Sequence, residues 1–282
     1  KIMEKQFKRL GVWMDWDRPY MTITRNWIES EWWTFKKAWE KGLIDTDLRV
    51  VHWCPRCETA LAEHEIEYKL LEDPSIYVKF PLEDRDNEFI VVWTTTPWTL
   101  PANVAVLVHP DFEYAKVKVR FKGKEEFWYI AEARVNEVMK EVGIENYEVV
   151  DVFRGKELDG WRYIHILQEE YPKQKEFRKK YDRVHTVVIG EFVTLEEGTG
   201  CVHIAPGHGE EDFEIGKRYN LPVYCPVNKS GEYIEGEWKG WYVKKADKQI
   251  IERLDSKGLL VFSGRITHKY PTCWRCKSPL LF

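Results

Sequence analysis

No stretch of the chain approaches the roughly 18 consecutive apolar residues a membrane-spanning helix needs. The opening KIMEKQFKRL also lacks the apolar run of a signal peptide. These absences point to a soluble protein with no membrane partner. Cysteine is sparse, six among 282 residues, too few for a disulfide scaffold. Glutamine is scarce beside abundant Lys and Glu, a balance seen in proteins from hot environments. Positive charge is not in excess. The net charge of −4 argues against a protein that coats DNA. No segment repeats with a period of 20–50 residues. No P-loop lysine follows the glycine-rich stretches, and no H-E-x-x-H pair occurs, so neither a P-loop nucleotidase nor a zincin-type hydrolase is indicated.

What is present is a core. Apolar residues make up 44% of the chain, enough to exclude disorder. Residues 26–41 read as a helix, with Ile28, Trp32, Phe35 and Trp39 on one face and Gly42 as its stop. From about residue 75 the texture changes to short β-rich runs, at 75–80, 88–93, 103–108, 113–121 and 126–131. A helix near 132–141 interrupts them, and strands resume at 147–153, 184–189 and 201–204. Residues 210–219 and 246–257 read as helices, the second stopped by Gly258. Basic residues gather at Lys173, Lys175, Arg178, Lys179, Lys180 and Arg183 and again at Arg120, Lys122 and Lys124. They read either as a solvated surface with interleaved acids or as a phosphate-backbone contact.

Four of the six cysteines fall in two near copies, Cys54-Pro-Arg-Cys57 and Cys273-Trp-Arg-Cys276. A C-x-x-C turn sets two thiolates on one side of a tight bend, half of a tetrahedral zinc site, and two such turns complete it. Residues 58–272 lie between them, so the expectation is a domain inserted in a zinc ribbon whose entry and exit strands the metal pins together. Four protein ligands leave no open position, which makes the zinc structural. The alternatives are redox disulfides, for which the βαβ context is missing, and unpaired surface thiols. His52 and His268 stand nearby as alternative ligands, but are read as packing or facing solvent. Reduced thiols suit a reducing, cytoplasmic compartment.

Two segments carry unusual chemistry. In Trp93-Thr94-Thr95-Thr96-Pro97-Trp98-Thr99-Leu100-Pro101-Ala102-Asn103, three hydroxyls at a strand end stopped by proline put donor–acceptor groups at a rim. A β-branched strand end turned by proline is the plainer reading. In Gly198-Thr199-Gly200-Cys201-Val202-His203-Ile204-Ala205-Pro206-Gly207-His208-Gly209-Glu210-Glu211-Asp212, a strand enters a glycine-rich turn and then a helix with three acids in its first turn. The helix dipole favours such acids, so capping alone would account for them. Cys201 is read as core packing, with a nucleophile paired to His203 as the rival.

Together, WTTTPWTLPAN and GTGCVHIAPGHGEEDF resemble the editing domain of isoleucyl-tRNA synthetases. The flanking LGVWMDWDRPY, VHWCPRCETALAEHEIEY and YPTCWRCKSPLLF resemble the segments that join that domain to the catalytic body. The resemblance covers nearly the whole chain. Valyl and leucyl relatives carry Arg where Thr96 stands, which favours the isoleucyl group. Cys201 and Ile204 depart from the common Ala and Thr. Neither the HIGH nor the KMSKS signature of aminoacylation occurs, so the chain is expected not to activate amino acids.

The resemblance implies an α+β fold: a closed, barrel-like β domain with peripheral helices (71–264) on a zinc-ribbon base (49–70 and 265–282), after a helical lead-in (1–48). It implies a monomer that forms part of a larger synthetase chain. The implied reaction is hydrolysis of the valyl ester of isoleucine tRNA, the partners being the aminoacylated tRNA 3′ end and its valine moiety. Asp212 is implied to bind the α-ammonium. Thr94, Thr95 and Thr96 hold the terminal adenosine and the attacking water, His203 limits the side-chain pocket, and Trp98 and Asn103 complete the wall. A zinc-stabilised module that only positions tRNA is the alternative from another class.

Overall fold

A computed structural model describes residues 2–282, in two compact units, one ending at Leu48 and one running Arg49–Phe282. The first holds α1 (Ile2–Arg9) and α2 (Arg25–Glu40). Gly42, at φ +66°, lets the Gly42 and Leu43 amides turn back onto Trp39 and Ala38, a Schellman stop for α2. No helix among the described residues is long and apolar enough to cross a membrane.

The second unit is mixed α+β. Its strands are β1 (His52–Cys54), β2 (Thr59–Leu61), β3 (Ile66–Pro81), β4 (Glu88–Thr94), β5 (Ala105–Val108), β6 (Glu113–Phe121), β7 (Lys124–Ala131), β8 (Tyr147–Arg154), β9 (Thr186–Ile189), β10 (Cys201–Ile204) and β11 (Leu260–Cys273). Its helices are α3 (Val135–Val142), α4 (Lys173–Lys180), α5 (Glu210–Tyr219) and α6 (Val243–Ser256). A six-stranded sheet runs β11-β3-β4-β7-β6-β8, a three-stranded sheet runs β10-β5-β9, and β1 pairs with β2.

The centre of the large sheet is covered on both faces, which explains why β4 and the inner end of β3 read as nearly continuous apolar runs. Ile76, Val78, Ile90 and Val92 share one core with Val106, Val108, Val187 and Cys201 of the small sheet and with Ala246, Ile250 and Leu254 of α6. Tyr77, Val91, Val117 and Trp128 pack on the other side against Val138 and Met139 of α3. Lys79 is buried there, its ammonium 2.6 and 2.7 Å from the Glu126 carboxylate, which also accepts from the Trp128 indole at 2.8 Å.

The expected closed barrel does not form. Both sheets stay open, because the small sheet lies face-on, β10 against β4, instead of extending the edge of the large one. The outer strand β8 leaves Val149, Val150 and Val152 exposed, without a second strand partner among the described residues. The basic segment around α4 is largely neutralised: Lys173 pairs with Glu235, Lys175 with Glu169, Arg178 with Glu83 and Arg183 with Asp159. That is the pattern of a solvated surface.

Candidate active site and cysteine cluster

The apolar strand β4 ends at Thr94, and Pro97, lacking an N–H, stops the ladder and opens a 3-10 turn over Pro97–Ala102. Three residues per turn bring Thr96 and Thr99 onto one side. Their hydroxyls stand 3.2 Å apart, and Thr94 Oγ1 lies 3.3 Å from Thr96 Oγ1. Thr94 Oγ1 also accepts the Thr96 amide at 3.1 Å. The row therefore begins inside the core and ends at a rim.

From the other direction, β10 pairs antiparallel with β5 and carries His203 beside Val106. It then turns through Ala205–Gly209 into α5. A Cβ on Gly207 would lie 2.5 Å from the Tyr224 carbonyl, so only glycine fits there. Asp212, in the first turn of α5, reaches back to accept the Ala205 amide on Oδ2 at 3.0 Å. The loop between β9 and β10 closes the third side. Gly198 takes φ +68°, its Cα against the Trp93 ring, while the Arg134 guanidinium and the Ala131 amide hold the Gly198 and Thr199 carbonyls.

These pieces enclose one cavity of about 400 Å³. Thr94, Thr95, Thr96, His203 and Asp212 all line it. Trp98 and Asn103 do not. Asn103 is fully buried, giving its amide to the Ala105 carbonyl and accepting from the Tyr163 hydroxyl. Trp98 packs edge-on against His208 with ring centroids 5.0 Å apart. Both brace the turn from behind. The cavity also has walls that sequence reasoning missed: Phe192, Thr194, Glu196 and Glu197. A fold-back loop has no periodicity to betray it. Thr99 was missed too, although its spacing of three from Thr96 was a usable signal.

Thr99 orients His203. Its hydroxyl lies 2.8 Å from the Thr96 carbonyl and 2.9 Å from His203 Nε2. Buried Nδ1 of His203 has no partner among the described residues. Burial, with His208 adding to it, lowers the imidazole to about 4, so the ring is neutral at physiological pH. Asp212 moves the opposite way. Burial raises its carboxyl to about 7, against the Ala205 amide, which lowers it, and with Glu211, which raises it. Cys201 is buried among apolar side chains, and burial pushes its thiol up to about 12. Burial thus disfavours the thiolate, although Cys201 also lines the cavity. If the cavity is hydrolytic, replacing Cys201 by alanine is expected to change its turnover by less than about threefold, since only packing is lost. A larger loss in a variant with unaltered melting would restore the cysteine-hydrolase reading.

β3 and β11 pair from Val78↔Leu260 to Ile66↔Cys273, a long ribbon that leads into the cysteine turns. Trp53 and Leu281 exchange amide–carbonyl bonds of 2.8 and 2.9 Å across the two turns. All four Sγ atoms lie within 4.8 Å of one another, and none is in a disulfide. A tetrahedral zinc with bonds near ~2.3 Å separates its sulfurs by about 3.8 Å, so the set fits such an ion. Cys54 Sγ also accepts the Cys57 amide at 3.3 Å, which orients the first turn. His52 instead packs on Phe282, and His268 pairs with Asp73 at 3.0 Å.

Comparison with known proteins agrees with this picture. A family model described as class I tRNA synthetases (I, L, M and V) matches residues 1–261. Isoleucine–tRNA ligase of Pyrococcus horikoshii is 64% identical over all of this chain, which covers 26% of that relative. The Methanocaldococcus jannaschii ligase is 60% identical, again over the whole chain and 28% of the relative. The chain thus spans about a quarter of the length of the curated relatives it matches. The crystal structure of GlLeuRS-CP1 superposes with a TM-score of 0.52 at 14% identity, over 67% of this chain and 98% of that one, and so shares the fold. The chain belongs to the class I tRNA synthetases of the I, L, M and V group.

Proposed function

We propose that the cavity is a proofreading site that hydrolyses the valyl ester of isoleucine tRNA. The observation that carries this reading is the meeting of the threonine row, His203 and Asp212 in one small cavity. Isoleucine and valine differ by one methylene, which supports only ~1–3 kcal/mol of discrimination; the handling of that pair by isoleucyl enzymes is the standard illustration of why a second, hydrolytic sieve is needed. An aminoacyl ester is already activated, so the site has to hold it, align a water and stabilise the developing oxyanion.

Each role follows from the chemistry of the side chain. Asp212, once ionised, accepts the α-ammonium in a charge-assisted contact worth about 1.5–3 kcal/mol. The hydroxyls and amides of Thr94, Thr95 and Thr96 engage the terminal adenosine and the water. Neutral His203 walls off the side-chain pocket, held in one orientation by Thr99. Residues 71–264 then act as the editing domain of a larger, cytoplasmic synthetase, on a base formed by 49–70 and 265–282, with 1–48 as the lead-in. Cys54, Cys57, Cys273 and Cys276 hold a structural zinc, which when bound cross-links the two ends of the insertion.

Ester loss from valyl-tRNA, followed with and without the chain, tests this reading. Acceleration over the spontaneous rate is expected. Binding without acceleration would instead favour a module that only positions tRNA. The zinc assignment has its own test. Chelation is expected to lower the melting temperature by roughly 10 °C or more. Deacylation measured well below the new melting point should stay within about twofold, since a closed four-cysteine site offers no position to substrate. Lost activity with unchanged melting would make the metal catalytic.

A further inference from the structure

The 3-10 turn that bears the threonine row has a weak point at its start. Pro97 offers no N–H, and the Trp98 amide, among the first of the turn, finds no partner within it. That amide is satisfied from α6, where Asp247 Oδ1 accepts it at 2.8 Å. On the other side of the same residue, the Tyr233 hydroxyl donates to the Trp98 carbonyl at 2.6 Å. Asp247 is buried on a helix face otherwise formed by Val243, Ala246, Ile250 and Leu254. An apolar residue would serve packing there, so the carboxylate needs a polar reason, and the Trp98 amide is the partner it has.

The position of Trp98 matters to the cavity because its neighbours on either side form the turn. The Thr96 carbonyl accepts both the Thr99 amide, at 2.9 Å, and the Thr99 hydroxyl, at 2.8 Å. Moving Trp98 moves this pair, and with it the Thr94–Thr96 hydroxyls and the His203 contact. We infer that Asp247 is a positioning residue for the hydrolytic cavity, fixing the threonine row from behind through the Trp98 amide. Burial, the largest influence, raises its carboxyl to about 7, with the Trp98 amide and Lys244 lowering it and Asp73 raising it. The side chain can therefore act as an acceptor in either protonation state, and an amide oxygen can replace it.

This role rests on the proofreading reading, so the test has one arm that needs activity and one that does not. Asp247→Ala is expected to lower kcat for valyl-tRNA deacylation about 10–100-fold with KM within about threefold, as misplacement of reacting groups does. Asp247→Asn keeps the acceptor and is expected to restore kcat to within about threefold of wild type. Hydrogen exchange at the Trp98 amide should accelerate at least ~10-fold in Asp247→Ala and not in Asp247→Asn. Unchanged kcat in Asp247→Ala, a loss confined to KM, or an asparagine variant as impaired as the alanine one would each overturn the inference. A wild-type chain without deacylase activity would sink the proofreading reading alone; a Trp98 amide still protected in Asp247→Ala would then sink the positioning role. Should Asp247→Ala not fold, Asp247→Leu, which fills the apolar helix face without an acceptor for the Trp98 amide, carries the test. The same kcat loss of about 10–100-fold is expected, and an unaltered kcat overturns the inference.

Discussion

Replacing Asp212 by alanine is expected to lower kcat/KM for valyl-tRNA deacylation by about 10–100-fold, the equivalent of one charge-assisted contact. The fold should survive, because the carboxylate makes one internal hydrogen bond, to the Ala205 amide at a turn. The pH dependence supplies a second signature. Asp212 is held near 7 by burial, so it is largely neutral below that pH and cannot pair with an ammonium. Deacylation should therefore fall as pH drops through about 7. His203, near 4, stays neutral across this window and contributes no step to it. Asp212→Asn should flatten the profile; Asp247, the other carboxyl raised to about 7, adds no step because it accepts the Trp98 amide in either protonation state. The stability sign is the reverse of a salt-bridged acid. The folded state holds the Asp212 proton more tightly than the unfolded chain, so stability contributed by this group is lost as pH rises from about 4 through 7. Asp212→Asn should accordingly melt higher at pH 8, by roughly 2–4 °C for each ~1 kcal/mol relieved. Near-normal turnover in the alanine variant would remove Asp212 from the mechanism.

Replacing His203 by alanine is expected to change selectivity more than rate. His203 lines the cavity, and on the proposed reading its imidazole is the wall of the side-chain pocket, so removing it frees more space than the one methylene that separates isoleucine from valine. Isoleucyl-tRNA hydrolysis should rise by about 10-fold or more, in line with the ~1–3 kcal/mol that steric selection over one methylene supports. Valyl-tRNA hydrolysis should stay within about fivefold, since the ammonium contact and the threonine row persist. A variant that lost both activities equally would show His203 to be part of the chemistry and not of the sieve.

The parts of the molecule that could be read from sequence are those with a local physical cause. β6 and β10 have the expected bounds because each is a short apolar or alternating run between turn residues. Helix α5 is bounded by Gly209 and by Asn220 at φ +52°, both ordinary punctuation. Strand β11 was invisible for the opposite reason. Much of it pairs only with the outer half of β3, where Tyr68 and Leu70 stay exposed, so no buried face imposes a period of two. Helix α4 was hidden by its charge, since KQKEFRKK buries only Gln174. Open sheets in place of a barrel reflect how edges pair in space, which short-strand spacing does not encode. In the site, Thr94–Thr96, His203 and Asp212 were named from their motifs. Thr99, Asp247 and the Phe192–Glu197 loop meet the motif residues through contacts across long stretches of chain. Trp98 and Asn103 belong to a motif without reaching the cavity.

The most direct measurement pairs valyl- and isoleucyl-tRNA with the same chain and follows ester loss from each under identical conditions. The account predicts that the valyl ester is cleaved at least ~10-fold faster, because a pocket walled by His203 admits one side chain and rejects the one that is a methylene larger. Equal rates for the two esters, or no acceleration of either, would contradict it.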